Sequence, residues 1–245
     1  MKKFYTILFI LSVIGIFIYY IAPEKHFSDF VYPLKEGMVL SVYDDKADGG
    51  FSNASLSLTD STILFSCSLH TEKTPAWCGL LWNFVPDTSI LYKNWMLVDT
   101  LVFDVDLKGT NEFLIKLWTY DPDVTNRKNK FSYRPLIKEV ITAKEGRQRI
   151  VVPISELYVP DYWFKTQKVS KNLQLKHLES AASFELSAGW NTKRGQPFSI
   201  RIYSIEAKGV SSFTLGFILF FFLALVTIAV GVRHKKATNI YEKTK

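Results

Sequence analysis

Apolar and polar residues alternate with a period of two through the middle of the chain. In 61–69, for example, Ile63, Phe65 and Cys67 alternate with smaller or more polar neighbours. The same alternation recurs in further segments with Gly, Pro, Asn and Asp between them: 99–107, 112–120, 146–154 and 198–207. Such alternation is typical of strands with one buried face, and several short strands separated by turn residues favour a β-sandwich. The sequence therefore predicts an all-β domain.

Two uncharged apolar runs, 4–22 and 210–232, flank this region. A helix rises about 1.5 Å per residue, so each run approaches or exceeds the roughly 30 Å hydrocarbon core of a bilayer. A cleaved signal peptide is the rival interpretation of the first run. That run is longer than the usual apolar segment of about 7–15 residues, and Tyr20 occupies a position where cleavage prefers a small residue. We expect two transmembrane helices.

Basic residues lie on the outer side of each apolar run: Lys2, Lys3, Arg233, Lys235 and Lys236. Because basic flanks stay in the cytoplasm, 1–3 and 233–245 are expected to be cytoplasmic and 23–209 to form one extracytoplasmic domain. The protein is thus predicted to cross the cell membrane twice, with a periplasmic domain in a Gram-negative host. Most of the formal net charge of +7 lies at these two ends, so the basic composition does not favour nucleic-acid binding.

Residues 44–207 carry a resemblance at the level of fold. The successive segments are "DDKADGGFSNASLSL", "AWCGLLWNF", "LVFDVDLKGTNEFLIKLWT", "GRQRIVVPISEL" and "FSIRIYSIEA". Their order resembles the galactose-binding-like jelly roll shared by family 11 carbohydrate-binding modules and the complex I intermediate-associated family. The resemblance implies a jelly-roll β-sandwich and makes carbohydrate a candidate ligand, although such sandwiches carry many different functions.

Polar and aromatic side chains on three predicted strands are candidate ligand-binding residues. Aromatic faces suit the apolar faces of sugars, and a few polar groups then fix the hydroxyls. Lys116, Trp118 and Tyr120 share the face opposite the apolar one. Residues of compatible polarity occur in the next strand and in the closing strand: Tyr133, Arg134, Arg201 and Tyr203. If these strands share one sheet, they form an aromatic and cationic platform; otherwise these side chains pack beneath loops.

A structural calcium ion is a second candidate feature, because calcium takes carboxylate and carbonyl oxygens. Asp44, Asp45 and Asp48 lie beside glycines that allow a sharp turn. Glu206 on the closing strand would join them if the first and last strands are adjacent, as the resemblance implies. The alternative is an acidic surface turn.

Catalytic motifs such as G-x-S-x-G, H-E-x-x-H or a glycine-rich phosphate loop do not occur, and the four histidines are scattered. We therefore expect a membrane-anchored ligand-binding or sensory module and not an enzyme. The layout also resembles the input half of bacterial two-pass sensors. Because only 233–245 follow the second span, signalling would need a partner protein or a longer chain. The alternative is a structural or assembly subunit whose sandwich docks another membrane or envelope protein.

The two cysteines, Cys67 and Cys78, flank the polar segment "HTEKTP". An extracytoplasmic location is oxidising, and no further ligands or C-x-x-C motif support a metal clip or a redox pair. A symmetric hairpin would place the two residues opposite each other on neighbouring strands, with their Cβ atoms about 4.5–5.5 Å apart. We predict a structural disulfide, with two free core thiols as the alternative.

Overall fold

The computed structural model describes residues 2–21, 26–59, 61–72, 75–84, 92–171 and 175–243. Ala22, the last residue of the expected first span, lies outside these ranges. The helices are α1 (Lys2–Ile21), α2 (Asp161–Gln167) and α3 (Ser212–Lys243). The strands are β1 (His26–Tyr32), β2 (Val39–Asp44), β3 (Asn53–Leu58), β4 (Ile63–Ser68), β5 (Cys78–Asn83), β6 (Val98–Lys108), β7 (Glu112–Thr119), β8 (Arg134–Ile141), β9 (Gly146–Pro153), β10 (Ala181–Ala188) and β11 (Pro197–Val210).

Backbone hydrogen bonds sort the strands into two sheets. The six-stranded sheet has the order β3-β4-β11-β6-β9, with β1 also paired to β11, and the five-stranded sheet has the order β2-β5-β10-β7-β8. The chain passes repeatedly from one sheet to the other, so neighbours in a sheet are often distant in sequence. This is the jelly-roll β-sandwich that the sequence resemblance implied.

The predicted alternation holds where the two sheets face each other. Along β4 the side chains alternate between buried and half-buried positions, beginning with a buried Ile63. Between the sheets, the Phe103 ring of β6 packs against Phe113 of β7 and Phe184 of β10, with centroids 5.7 and 6.2 Å apart. Burial of such rings is the main stabilising contribution that the alternating pattern makes possible.

The predicted disulfide between Cys67 and Cys78 is present, and both cysteines are buried. The expected hairpin is wrong. Cys67 lies on β4, which pairs with β3 and β11, whereas Cys78 lies on β5, which pairs with β2 and β10. Both cysteines nevertheless point toward the core, as the alternating pattern of each strand predicted. The disulfide therefore crosses between the sheets.

The chain divides into two compact units: Ser28–Lys208, which is the sandwich, and the two end segments together. Among the described residues, one helical segment is long and apolar enough to cross a membrane, Ser212–Arg233 in α3, with a mean hydropathy of 2.8. The apolar stretch of α1, Thr6–Phe17, is shorter. The expected pair of transmembrane helices is therefore reduced to one candidate span.

Within the unit of end segments, α1 and α3 pack against each other. The Phe221 ring of α3 lies against Gly15 of α1, where an added Cβ would overlap the ring and approach its Cδ1 to 3.0 Å. The lack of a side chain at Gly15 thus allows close helix packing, as small residues do at helix–helix interfaces.

Candidate binding cleft

A cleft of about 610 Å³ lies on the face of the five-stranded sheet that points away from the core. Strands β2, β10, β7 and β8 form its floor, α2 forms one wall, and connecting segments complete the rim. The lining residues are Tyr43, Asp44, Asp48, Trp77, Lys116, Trp118, Phe131, Pro135, Tyr162, Trp163, Thr166, Gln167 and Glu185. Aromatic rings and a few polar groups thus converge on one concave surface, as is typical of small-ligand sites.

Glu185 is the central polar residue of the cleft floor. It lies on β10 between Leu81 of β5 and Lys116 of β7, and only 4% of its surface is exposed. Oε1 accepts hydrogen bonds from the Tyr43 hydroxyl and, at 2.5 Å, from Lys116 Nζ. Oε2 accepts one from Trp118 Nε1 at 2.9 Å. Donors from two strands, β2 and β7, therefore hold one buried carboxylate on β10, and its charge is matched by that of Lys116.

Tyr43 reaches Glu185 by crossing over a glycine. Tyr43 on β2 is directly opposite Gly79 on β5, and Gly79 is opposite Ser187 on β10. A Cβ at Gly79 would overlap the tyrosine ring, coming within 2.7 Å of its Cε1. Burial raises the pKa of the Tyr43 phenol well above its usual value, and the negative charge of Glu185 raises it further. The phenol is therefore held in its neutral, hydrogen-bond-donating form.

The helical wall is fixed by its inward-facing side. In α2, Trp163 and Phe164 are buried, and Trp163 Nε1 donates to the carbonyl oxygen of Tyr133 at 2.8 Å. At the end of the helix, Gln167 Nε2 donates to the carbonyl oxygen of Phe131 at 3.2 Å. Burial and the nearby charge of Glu185 raise the pKa of Tyr162. The helix thus turns Tyr162 and, one turn later, Thr166 toward the cleft.

The residues predicted to form one ligand platform are distributed over three places. Lys116 and Trp118 line the cleft. Tyr120 and Tyr133 form a cluster with Tyr92, in which the Tyr92 and Tyr120 rings stack with centroids 5.0 Å apart.

Arg201 and Tyr203 belong to β11 in the other sheet, where Arg147 lies 3.8 Å from the centre of the Tyr203 ring. The condition that all these strands share one sheet is therefore not met, because the chain crosses to the opposite sheet before β11. The structure does not bring these two side chains to Lys116 and Trp118.

Arg134, which the sequence suggested as a ligand contact, is buried. Its guanidinium pairs with the buried carboxylate of Asp121 and donates to the carbonyl oxygen of Leu175. It also lies over the Trp163 ring, 4.9 Å from the ring centre. These contacts tie the start of β8 to the segment before β10, which is a structural arrangement.

The four carboxylates proposed for calcium do not form one cluster. Glu206 lies on the six-stranded sheet and bonds to Ser28 and Lys208, whereas Asp44 ends β2 of the other sheet. Asp44 accepts from the backbone N–H groups of Lys46 and Ala54 at 3.2 and 3.3 Å. Within the described ranges, no group of three His, Cys, Asp or Glu residues is arranged to hold a metal ion.

Asp45 is buried and organises the turn that the sequence assigned to calcium. It accepts from the Ser52 backbone N–H at 2.8 Å, the Ser52 hydroxyl at 2.6 Å and the Trp77 N–H at 3.2 Å. Burial opposes ionisation of this carboxyl, but these hydrogen bonds outweigh it and lower its pKa. Asp45 thus binds protein donors, while Asp44 and Asp48 line the cleft.

The sequence did not indicate that several residues would line the cleft: Tyr43, Trp77, Phe131, Tyr162, Gln167 and Glu185. A partial signal existed, because Glu185 interrupts the apolar strand "SFELSA" on the same parity as its serines. The pairing of β10 with β7, and the placement of α2 over the sheet, are long-range features that no local pattern reveals.

Comparisons with known proteins were made for the whole chain. No family model and no curated protein matches it. Among solved structures, it is similar to the family 11 carbohydrate-binding module of a cellulosomal cellulase of Clostridium thermocellum. That match has 9% identity and a TM-score of 0.48, and covers 75% of this chain and 95% of that one. It is also similar to a family 30 carbohydrate-binding module, with 12% identity, a TM-score of 0.42 and coverage of 66% and 92%. Function is therefore inferred from the cleft residues themselves.

Proposed function

We propose that the sandwich is a carbohydrate-binding module and that its cleft on the five-stranded sheet is the binding site. The observation that carries the proposal is the anchoring of Trp118 by Glu185. Because the indole N–H is bonded to Glu185 Oε2, the ring is held in one orientation on the cleft floor. A fixed aromatic ring is a suitable platform for the apolar face of a sugar.

Polar groups around Trp118 supply the hydrogen-bond donors and acceptors for sugar hydroxyls that the ring lacks. Lys116 Nζ has three N–H donors, of which one is directed to Glu185. Asp48 and Gln167 line the same cleft and can accept or donate hydrogen bonds to hydroxyls. Tyr162 on the helical wall adds a second ring beside the floor. An aromatic surface with a few directional polar groups matches the amphipathic surface of a glycan chain.

The surroundings of Glu185 favour a binding role over a catalytic one. A catalytic carboxylate must exchange a proton with its substrate or attack it, and so needs an accessible oxygen. Both oxygens of Glu185 instead hold protein donors, one of them the Lys116 ammonium. The carboxylate is placed to orient neighbouring side chains.

Membrane anchoring through α3 completes the proposal. The segment Ser212–Arg233 has the required length and apolarity, and α1 would form a second crossing packed on α3 through Gly15 and Phe221. With basic residues beyond both runs, the two termini would be cytoplasmic and the sandwich extracytoplasmic. Because only Ser211 separates β11 from α3, ligand binding could be signalled through this connection to a membrane partner.

The binding test uses the full chain in lipid nanodiscs and a panel of soluble oligosaccharides, with affinity measured by calorimetry. Trp118→Ala should weaken binding by about tenfold or more, since an aromatic ring that the ligand covers is expected to dominate the interface energy. Trp190→Ala is the matched control, because Trp190 is 61% exposed and does not line the cleft. Wild-type protein that binds no glycan, or equal losses in both variants, would reject the site. Recovery of a stoichiometric protein partner in place of glycan binding would favour the assembly-subunit alternative.

A further inference from the structure

Strand β11 reaches its C-terminal residue at one end of the sandwich, and the chain then continues into α3. Gly109, after the end of β6, lies beside the start of β11, since an added Cβ would be 2.6 Å from the carbonyl oxygen of Pro197. The neighbouring strands β6 and β11 therefore run in opposite directions, and the end of β11 lies beside the start of β6 at Val98. We call this end of the sandwich the exit end. Beyond it, Ser211 alone separates β11 from α3.

The β7–β8 connection, 120–133, belongs to the exit end. Just before β6, Lys93 bridges to Ala181 at the start of β10. Ala181 is opposite Thr119, the last residue of β7, and Thr119 is opposite Arg134, the first residue of β8. The loop between Thr119 and Arg134 is therefore on the same end as the start of β6 and the departure of β11.

Exposed apolar and basic side chains are combined at the exit end. Phe131 is 81% exposed, and Met96 and Leu175 are also exposed. Arg127, Lys128 and Lys130 surround Phe131 in sequence and are exposed as well. Phe131 also borders the cleft. A large exposed ring flanked by basic side chains is the combination found in segments that bind a membrane interface.

The loop that carries Phe131 has a defined conformation. The buried Ser132 hydroxyl accepts from Asn126 N–H at 2.8 Å and donates toward the carbonyl oxygens of Asn126 and Asn129, at 3.0 and 2.7 Å. The Asn129 side chain accepts from the Phe131 N–H at 3.0 Å. Phe131 is therefore held outward by a hydrogen-bonded turn, which lowers the entropic cost of presenting it to a partner.

Tyrosines form the layer beneath this loop. The Arg127 guanidinium lies 5.1 Å from the Tyr120 ring centre and 5.8 Å from that of Tyr92, and the Tyr92 and Tyr133 hydroxyls are 3.3 Å apart. Tyrosine is enriched at the level of lipid headgroups because its ring is apolar and its hydroxyl is polar. The exit end thus combines an exposed Phe131, exposed basic groups and tyrosines that lie against Arg127.

We propose that the exit end docks on a membrane surface of anionic phospholipid, with Phe131 inserted among the headgroups and Arg127, Lys128 and Lys130 paired with lipid phosphates. The proposal rests on the proposed crossing of the bilayer by α3, which begins after a single residue, Ser211, beyond β11. The partner is anionic because exposed cations outnumber exposed carboxylates in this loop, where Asp123 is exposed and Asp121 is buried.

The test measures immersion of a nitroxide attached at residue 131 in the full chain reconstituted into vesicles. The label is attached to Phe131→Cys without reductant, so that the Cys67–Cys78 disulfide stays closed. Phe51→Cys is the matched control, because Phe51 is 67% exposed and lies just before β3, whose first residue is opposite Ser68 and, through it, Pro197 at the start of β11. It therefore occupies the opposite end of the sandwich.

The expected result is that phosphatidylglycerol vesicles protect the label at 131 from an aqueous nickel relaxation agent and expose it to oxygen, while the label at 51 stays accessible to nickel. Protection should fall in pure phosphatidylcholine and in K128E/K130E, since each basic residue contributes about fivefold to binding at an anionic surface. K108E/K193E, a matched charge change at exposed residues of the opposite end, should leave protection unchanged.

Three results would overturn the proposal. In chains that float with the vesicles, equal nickel accessibility at 131 and 51 would reject docking and leave the α3 span intact. Protection that is the same in phosphatidylcholine would reject the anionic-lipid assignment. Failure of the chain to float would reject the span and the docking together, while glycan binding, measured separately, would be unaffected.

Discussion

Cys67 and Cys78 form a disulfide that joins β4 of the six-stranded sheet to β5 of the five-stranded sheet, with 6.4 Å between their Cα atoms. Sheets in a sandwich normally stand about 10 Å apart, so the bond lies where the two backbones approach closely. Because no backbone hydrogen bonds pair β4 with β5, the covalent link and side-chain packing hold this part of the two sheets together.

Removal of the disulfide should lower the stability of the sandwich. For C67S/C78S we expect the free energy of unfolding to fall by about 3 kcal/mol, as estimated for a closed loop of this length. The measurement is urea unfolding of the full chain in detergent, followed by tryptophan fluorescence, because all six tryptophans lie in the sandwich. Dithiothreitol should shift the wild type to a similar midpoint and leave the variant unchanged. Free thiols in unreduced, denatured wild type would contradict the prediction.

Alkaline pH should destabilise the sandwich through Tyr43. Burial and the Glu185 charge raise its pKa in the folded protein above the ordinary value of 10.0, so the folded state holds the phenol proton more tightly than the unfolded chain. This contribution is present in full below about pH 10 and is lost as the pH rises toward the raised pKa. Urea midpoints measured from about pH 9 to 11 should therefore fall more steeply for wild type than for Tyr43→Phe. Parallel curves would show that Tyr43 does not contribute.

A methyl group added at Gly79 should disturb the cleft, although the new group itself would not contact the ligand. In Gly79→Ala the new Cβ overlaps the Tyr43 ring, and we expect a loss of about 1–3 kcal/mol in stability from overpacking. Glycan affinity should also fall, because Tyr43 can no longer donate to Glu185. The same substitution in a Tyr43→Ala background should cost much less in stability. An equal cost in both backgrounds would assign the effect to the strand and not to the ring.

Removal of the buried charge of Arg134 should lower the stability of the fold more than it lowers the affinity for the ligand. Arg134→Met leaves the buried Asp121 carboxylate without the guanidinium that pairs with it, for which a loss of about 3–5 kcal/mol is expected. R134M/D121L should recover part of this loss in urea unfolding. Arg127→Met, at an exposed arginine of the preceding loop, is the control and should change stability little. A glycan-binding defect in folded R134M would instead indicate a direct ligand contact.

The sequence was sufficient to predict β4, β6, β7, β9 and β11 and the class of fold, because burial on one face leaves a period-two pattern that is local. The correct inward parity of Cys67 and Cys78 came from that pattern. The sheet to which each strand belongs is decided by distant pairings, and this is why the predicted hairpin between these cysteines was wrong. For the same reason, the sequence alone could not show that Arg201 and Tyr203 lie in the other sheet.

The cleft was predictable in part for the same reason. Lys116 and Trp118 were identified because two polar or aromatic residues on one strand face share a local pattern. Glu185 becomes central only when β10 pairs beside β7, and Tyr162 only when α2 is laid across the sheet. Arg134 was predicted to face a ligand because a charged residue in a strand suggests exposure. In the structure, Asp121 and the Leu175 carbonyl oxygen compensate its charge in the interior.

Gly79 shows how a mutational map of this cleft could mislead. Substitutions there would reduce glycan retention in any screen that scores positions independently, although the residue has no side chain to offer a sugar. Its role is to leave unfilled the space that the Tyr43 ring occupies. A footprint drawn from such a screen would include Gly79 on β5, while the side chain that borders the proposed binding surface there is that of Tyr43.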